Sequence, residues 1–149
     1  MLISQKKAKR ATVLRGFADY FEALSNASEG FLGELGGLVS KCSSGKLGRF
    51  TFPEEISGEY EKTGDMALSW IKCVERYFPL LKNDEIARLK GFADAFSGFS
   101  KKEFSDNCAL AAESFCACAA EAEEECKRTG RLTVALSSLL AALIFIILI

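Results

Sequence analysis

Residues 132–149 read LTVALSSLLAALIFIILI, a run with no charged side chain and only three polar ones, Thr133, Ser137 and Ser138. As a helix rising about 1.5 Å per residue, it covers roughly 27 Å, close to the hydrocarbon thickness of about 30 Å that a bilayer presents. Twelve of its residues are Leu, Ile, Val or Phe. Each favours insertion by about 0.3 to 0.6 kcal/mol near the bilayer centre, which outweighs three small hydroxyls. A soluble core helix of this composition would need apolar partners on every side, and a chain this short rarely supplies them. The run reads as a C-terminal transmembrane anchor, dividing the chain into a helical domain over 1–131 and the anchor over 132–149.

Lys127, Arg128 and Arg131 stand directly before the anchor. Positive charge flanking a span stays on the cytoplasmic side, so residues 1–131 are expected in the cytoplasm, tethered to the cell membrane. The opposite end, Met1 to Arg10, has no apolar stretch of secretory length. Its basic residues Lys6, Lys7, Lys9 and Arg10, followed by Arg15, suit either a segment near an anionic inner leaflet or the solvated turns of a first helix.

Nineteen Lys and Arg balance twenty Asp and Glu, and this near-neutral total argues against nucleic acid as a partner. Six cysteines, Cys42, Cys73, Cys108, Cys116, Cys118 and Cys126, fall mostly at apolar positions of helical patterns, where a reduced thiol acts as a small hydrophobe. No C-x-x-C pair and no histidine occur, so the common zinc frameworks and the usual base of serine and cysteine nucleophiles are missing. The stretch Ser43-Ser44-Gly45-Lys46-Leu47-Gly48 fails as a phosphate loop. Ser40 stands where the first glycine belongs, and Leu47 where Ser or Thr should follow the lysine. Glu54-Glu55 and Glu123-Glu124-Glu125 read as solvated helix faces. No catalytic residue, metal site, cofactor or small-molecule substrate is expected.

Helical spacing runs through the rest. Val13, Leu14, Phe17, Tyr20, Phe21 and Leu24 predict a helix over Ala11 to Asn26. A second is expected over Gly30 to Cys42, weakened by Gly33, Gly36 and Gly37, then a loop over Ser43 to Thr51. Pro53 opens a helix through Tyr60 that Thr63 and Gly64 close. Asp65 caps one carrying Met66, Leu68, Trp70, Ile71, Val74 and Phe78, ended by Pro79. Asn83 or Asp84 caps another, with Ile86, Leu89, Phe92, Ala93 and Phe96 inward and Gly98 at its end. Ser100 and Glu103 form a capping box that starts a long helix. Its seam is Phe104, Cys108, Ala111, Phe115, Cys118 and Ala122, and Gly130 is the expected bend. Phe17, Phe21, Trp70, Phe92, Phe104 and Phe115 are the expected core anchors. Short loops favour antiparallel neighbours, so the fold class is all-α, an antiparallel bundle of about six helices with a C-terminal transmembrane helix.

A resemblance rests on the order of several stretches. They are Lys9-Arg10 with Val13-Leu14-Arg15-Gly16-Phe17, then Trp70, then Leu81-Lys82-Asn83-Asp84-Glu85-Ile86-Ala87-Arg88-Leu89. Phe92 to Phe96, Ser97-Gly98-Phe99-Ser100, Ala120-Glu121-Ala122-Glu123 and Gly130-Arg131-Leu132 follow. With these the chain resembles the stage III sporulation protein AB family of endospore-forming bacteria, whose soluble part is similar to the cytoplasmic domain of the type II secretion F protein. Members generally begin with another membrane segment. Met1 to Ile3 is expected to be the stub of one, from a truncated or late start. Lys101 and Ser105 depart from the family's usual Asp and Gln after Ser97-Gly98, so that surface is expected to differ.

The resemblance implies a mother-cell membrane component of the secretion-like channel between mother cell and forespore. Its implied partners are the channel's ATPase and other channel membrane proteins, together with the lipid bilayer, and homo-oligomerisation stays open. The residues alone reach only a helical docking part on a membrane stalk. A generic tail-anchored adaptor is the alternative, and a membrane enzyme using lysine or carboxylate chemistry is a more distant one.

Overall fold

The computed structural model describes residues 2–30, 33, 37–39, 42, 50–97 and 100–149. Helix α1 spans Leu2–Ser28, α2 Phe52–Thr63, α3 Met66–Glu75 and α4 Asn83–Gly91; a 3₁₀ helix covers Phe92–Phe96 and α5 runs Lys101–Leu148. The molecule is an all-α bundle whose final helix is long and apolar enough to cross a membrane. The helix expected over Gly30 to Cys42 lies largely outside the described residues, apart from a helical turn at 37–39 and a bond from Cys42 N–H to Leu38 O at 2.9 Å. The predicted loop is likewise outside except Phe50 and Thr51, as is the expected helix end at Gly98.

Local chemistry explains most boundaries. Pro53 sits in the first turn of α2, where its missing N–H costs nothing, with Glu54 and Glu55 beside the positive end of the helix dipole. Gly64 closes that helix at φ +66°, its N–H bonded to Tyr60 O at 2.9 Å, in a left-handed conformation that a side chain would disfavour. Asp65 Oδ1 accepts from Leu68 N–H at 3.2 Å to open α3. Ser100 and Glu103 form the capping box of α5 reciprocally, at 3.3 and 3.1 Å.

Several expectations need correction. Helix α1 begins near Leu2 rather than at Ala11, because nothing in the basic segment breaks a helix and Lys7, Arg10 and Arg15 all find partners across it. Helix α3 stops at Glu75, four residues before Pro79, and the chain continues in turns with Phe78 outward (59% exposed); Leu68 (46%) lies within α3 but off its buried face of Met66, Ser69, Trp70, Cys73 and Val74. The N-cap of α4 is Lys82, one residue before the expected Asn83, because the Glu85 carboxylate accepts the Lys82 N–H at 2.9 Å. The α-helix there yields to the 3₁₀ helix at Phe92, which turns Phe92 and Phe96 onto Trp70 at ring distances of 5.1 and 5.5 Å. Along α5, Ala119 is buried where Cys118 is only half-buried, and Ser105 joins the inner face. Gly130 lies inside uninterrupted helix.

Two aromatic centres organise the core. Phe17 sits among the rings of Phe50, Phe52, Tyr77 and Phe115, at 4.9, 4.8, 5.5 and 6.1 Å. Trp70 stacks near Tyr20 and meets Phe52 edge-on at 5.0 Å, while its indole N–H donates to Leu89 O at 2.6 Å. Such rings bury large apolar area and prefer edge-to-face or offset contacts, and a buried indole or phenol needs a hydrogen-bond partner. Tyr20 has its own, donating to Val39 O at 3.1 Å.

Candidate functional site

Helices α1 and α5 share the longest interface of the bundle and run antiparallel. Their polar contacts show the register: Lys7 Nζ donates to Thr129 Oγ1 at 2.9 Å, Arg15 Nε to Glu123 Oε1 at 3.1 Å, and Ser25 Oγ to Ser105 O at 3.1 Å. Between the first two, Arg10 grips Glu85 of α4 with both Nε and Nη2, and reaches Glu125 from Nη1 at 3.5 Å. The Arg10 side chain is 10% exposed and that of Glu85 2%. The Glu85 carboxylate beside it raises the Arg10 guanidinium above its ordinary pKa, outweighing the opposing effect of burial. One arginine thus ties three helices together near the start of the apolar segment.

Arg10 and Arg15 were expected at a leaflet or in solvent, and Glu123 and Glu125 on a solvated face. Glu123 and Glu125 do keep a solvent-facing side, at 43% and 47% side-chain exposure, while pairing with Arg15 and Arg10; only Arg10, at 10%, leaves the solvent. The pattern of a basic N-terminal helix and an acidic run far along the chain was the available signal. The Arg10–Glu85 pair joins residues 75 apart and had none.

The cations nearest the apolar segment that are outside this ladder point outward. Lys6, Lys9, Lys127, Arg128 and Arg131 are exposed, and so is every residue from 132 to 149. Among the expected core anchors, Phe17, Phe21, Trp70 and Phe104 are fully buried, Phe115 is 2% exposed and Phe92 is half-buried.

Further from the apolar segment, α1 and α5 leave a groove of about 340 Å³. Its lining includes Ala18, Ala109 and Ala112 together with the carboxylates Asp19, Glu22 and Glu113. None of the three carboxylates makes an ion pair among the described residues. The groove is open and acidic, suited to contact with a basic surface. Among the described residues no group of three His, Cys, Asp or Glu side chains is placed to hold a metal ion. The cysteines are free thiols; burial pushes Cys73 up to about 11 and Cys108 up to about 12.

The family model for stage III sporulation protein AB matches residues 1–149. No curated protein and no solved structure matches the chain.

Proposed function

The chain belongs to the stage III sporulation protein AB family, and on that premise we propose that it is a non-enzymatic membrane component of the mother-cell secretion-like channel, a platform on which the channel's ATPase docks. The observation that carries this reading is one 48-residue helix shared between the folded core and an apolar stretch that is exposed among the described residues. A helix built this way links a cytoplasmic contact to a membrane position without a hinge of its own. In this reading residues 1–131 are the cytoplasmic domain and 132–149 the anchor, a division that the exposed apolar end of the same helix supports. The exposed cations Lys127, Arg128 and Arg131 support the cytoplasmic orientation.

The acidic groove between α1 and α5 is the face we assign to the ATPase, through basic residues on that partner. Membership of the family favours this reading over a generic adaptor unrelated to sporulation. The test is a binding assay with the full chain in nanodiscs and the purified channel ATPase. Binding is expected, with no nucleotide hydrolysis by the chain alone, and Glu22→Lys with Glu113→Lys should weaken it. Absence of binding under conditions where the ATPase is active would overturn the docking role.

A further inference from the structure

Every cation at the apolar end of the α1/α5 pair is without a carboxylate companion in its own segment. Residues 1–9 and 126–149 contain Lys6, Lys7, Lys9, Lys127, Arg128 and Arg131, and no Asp or Glu. The two segments lie more than a hundred residues apart in sequence, yet Lys7 Nζ donates to Thr129 Oγ1. Four residues back from Lys7 is Ile3, and four on from Thr129 is Thr133. The antiparallel register therefore brings Leu2 and Ile3, 83% and 72% exposed, level with the first turn of the apolar run. Lys6, Lys9, Lys127 and Arg131 are exposed and make no hydrogen bond or ion pair among the described residues. Arg128 differs, since it stands beside Glu121, Glu124 and Glu125.

We infer that the start of α1 and the middle of α5 together form a cationic collar that binds the headgroups of anionic phospholipids, with Leu2 and Ile3 dipping into the interface beside the span. Three features of the surface select this occupant. Lys6, Lys9, Lys127 and Arg131 carry one sign of charge, they adjoin an apolar segment made to enter hydrocarbon, and Leu2 and Ile3 beside them are apolar and exposed. A protein partner would satisfy the first feature but leave the other two in water. Basic residues beside a negatively charged leaflet each strengthen association about fivefold, and the effect fades within a Debye length. The inference rests on α5 being membrane-inserted.

Electron spin resonance of the full chain in phosphatidylcholine bilayers, probed with spin-labelled phosphatidylglycerol or spin-labelled phosphatidylcholine, reads the lipid held at the protein surface. The chain should immobilise phosphatidylglycerol several-fold in preference, and high salt should erase much of that preference. Lys6→Gln with Lys9→Gln should lower it, as should Lys127→Gln with Arg131→Gln, while helicity by circular dichroism stays unchanged. An inserted chain that holds both lipids equally would overturn the collar. So would a preference indifferent to Lys6→Gln with Lys9→Gln, which would leave only an ordinary flank. No immobilised lipid of either kind would overturn the membrane reading of α5 itself, and the collar with it.

Discussion

Arg10 and Glu85 form a buried, two-pronged ion pair, the arginine Nε and Nη2 each donating to a separate carboxylate oxygen. Planar fork-to-fork geometry of this kind is specific to arginine. Glu85 simultaneously accepts the Lys82 N–H that opens α4, so the same carboxylate sets a helix start and a helix docking. Arg10→Leu leaves a carboxylate buried and unpaired, and should cost about 3 kcal/mol or more. Arg10→Leu combined with Glu85→Leu should recover much of that loss. Chemical denaturation of the single and double variants measures both, and an additive double variant would show that the two groups do not act as a pair.

Phe115 lies under α1, its ring 5.6 Å from Phe21 and 6.1 Å from Phe17. Truncation to alanine removes those contacts and leaves a cavity that neighbouring rings cannot fill. Phe115→Ala should therefore cost roughly 3 to 5 kcal/mol. A loss below about 1 kcal/mol in thermal or denaturant unfolding would place that ring in solvent rather than in the core.

Gly16 is a contact glycine. A Cβ at that position would stand 2.5 Å from the ring of Phe50, so α1 approaches Phe50 only because the side chain is a hydrogen. Gly16→Ala gains helix propensity but forces the ring aside, and the clash should win by about 1 to 3 kcal/mol. Pairing it with Phe50→Ala removes the two ring atoms at 2.5 Å and leaves only the Cβ at 3.1 Å, so Gly16→Ala should cost clearly less in that background than in the original chain.

The thiols should separate by environment. Burial favours the neutral form, and Cys73 and Cys108 keep their protons up to about 11 and about 12, against an ordinary 9.0. Their folded-state values are raised, so the folded chain holds protons that the unfolded chain releases. Stability is then fully present below about pH 9 and falls as pH rises toward the folded values. At neutral pH, iodoacetamide should modify exposed Cys116 readily and spare Cys73 and Cys108 until denaturant is added. Mass spectrometry of the alkylated peptides reads the order directly.

Exposed apolar side chains from Leu132 to Ile149 should hold the full chain in the membrane fraction through high-salt and alkaline extraction. A shortened chain ending near Thr129 should partition into the supernatant. Release of the full chain at high pH without detergent would count against insertion.

Much of the helical pattern was legible because it depends on near neighbours. The Ser100/Glu103 box, Pro53 and Gly64 all act within one turn, and the structure carries each of them. The end of α3 was not legible in the same way. Pro79 marks a limit that helix cannot pass, whereas the actual stop at Glu75 depends on Tyr77 turning back to pack on Phe17 and Phe52. Phe92 and Phe96 fit a continuing α-helical period equally well, and only their fit against Trp70 favours the tighter 3₁₀ turn.

The amino-acid sequence by itself determined the all-helical class, the apolar C-terminal segment, the acidic and basic blocks and the family. Periodicity, composition and local capping are properties of residues a few positions apart, and they survive without any knowledge of the fold. The tertiary structure alone decided that Arg10 belongs to Glu85, that Gly16 makes room for Phe50, and that Lys7 meets Thr129 at the start of the apolar run. Those partners are brought together by the antiparallel packing of α1 on α5 and by the docking of α4 and the chain around Phe50. Which of many compatible charges and rings meet is set by the closure of the whole core, a long-range condition that no short window of sequence contains.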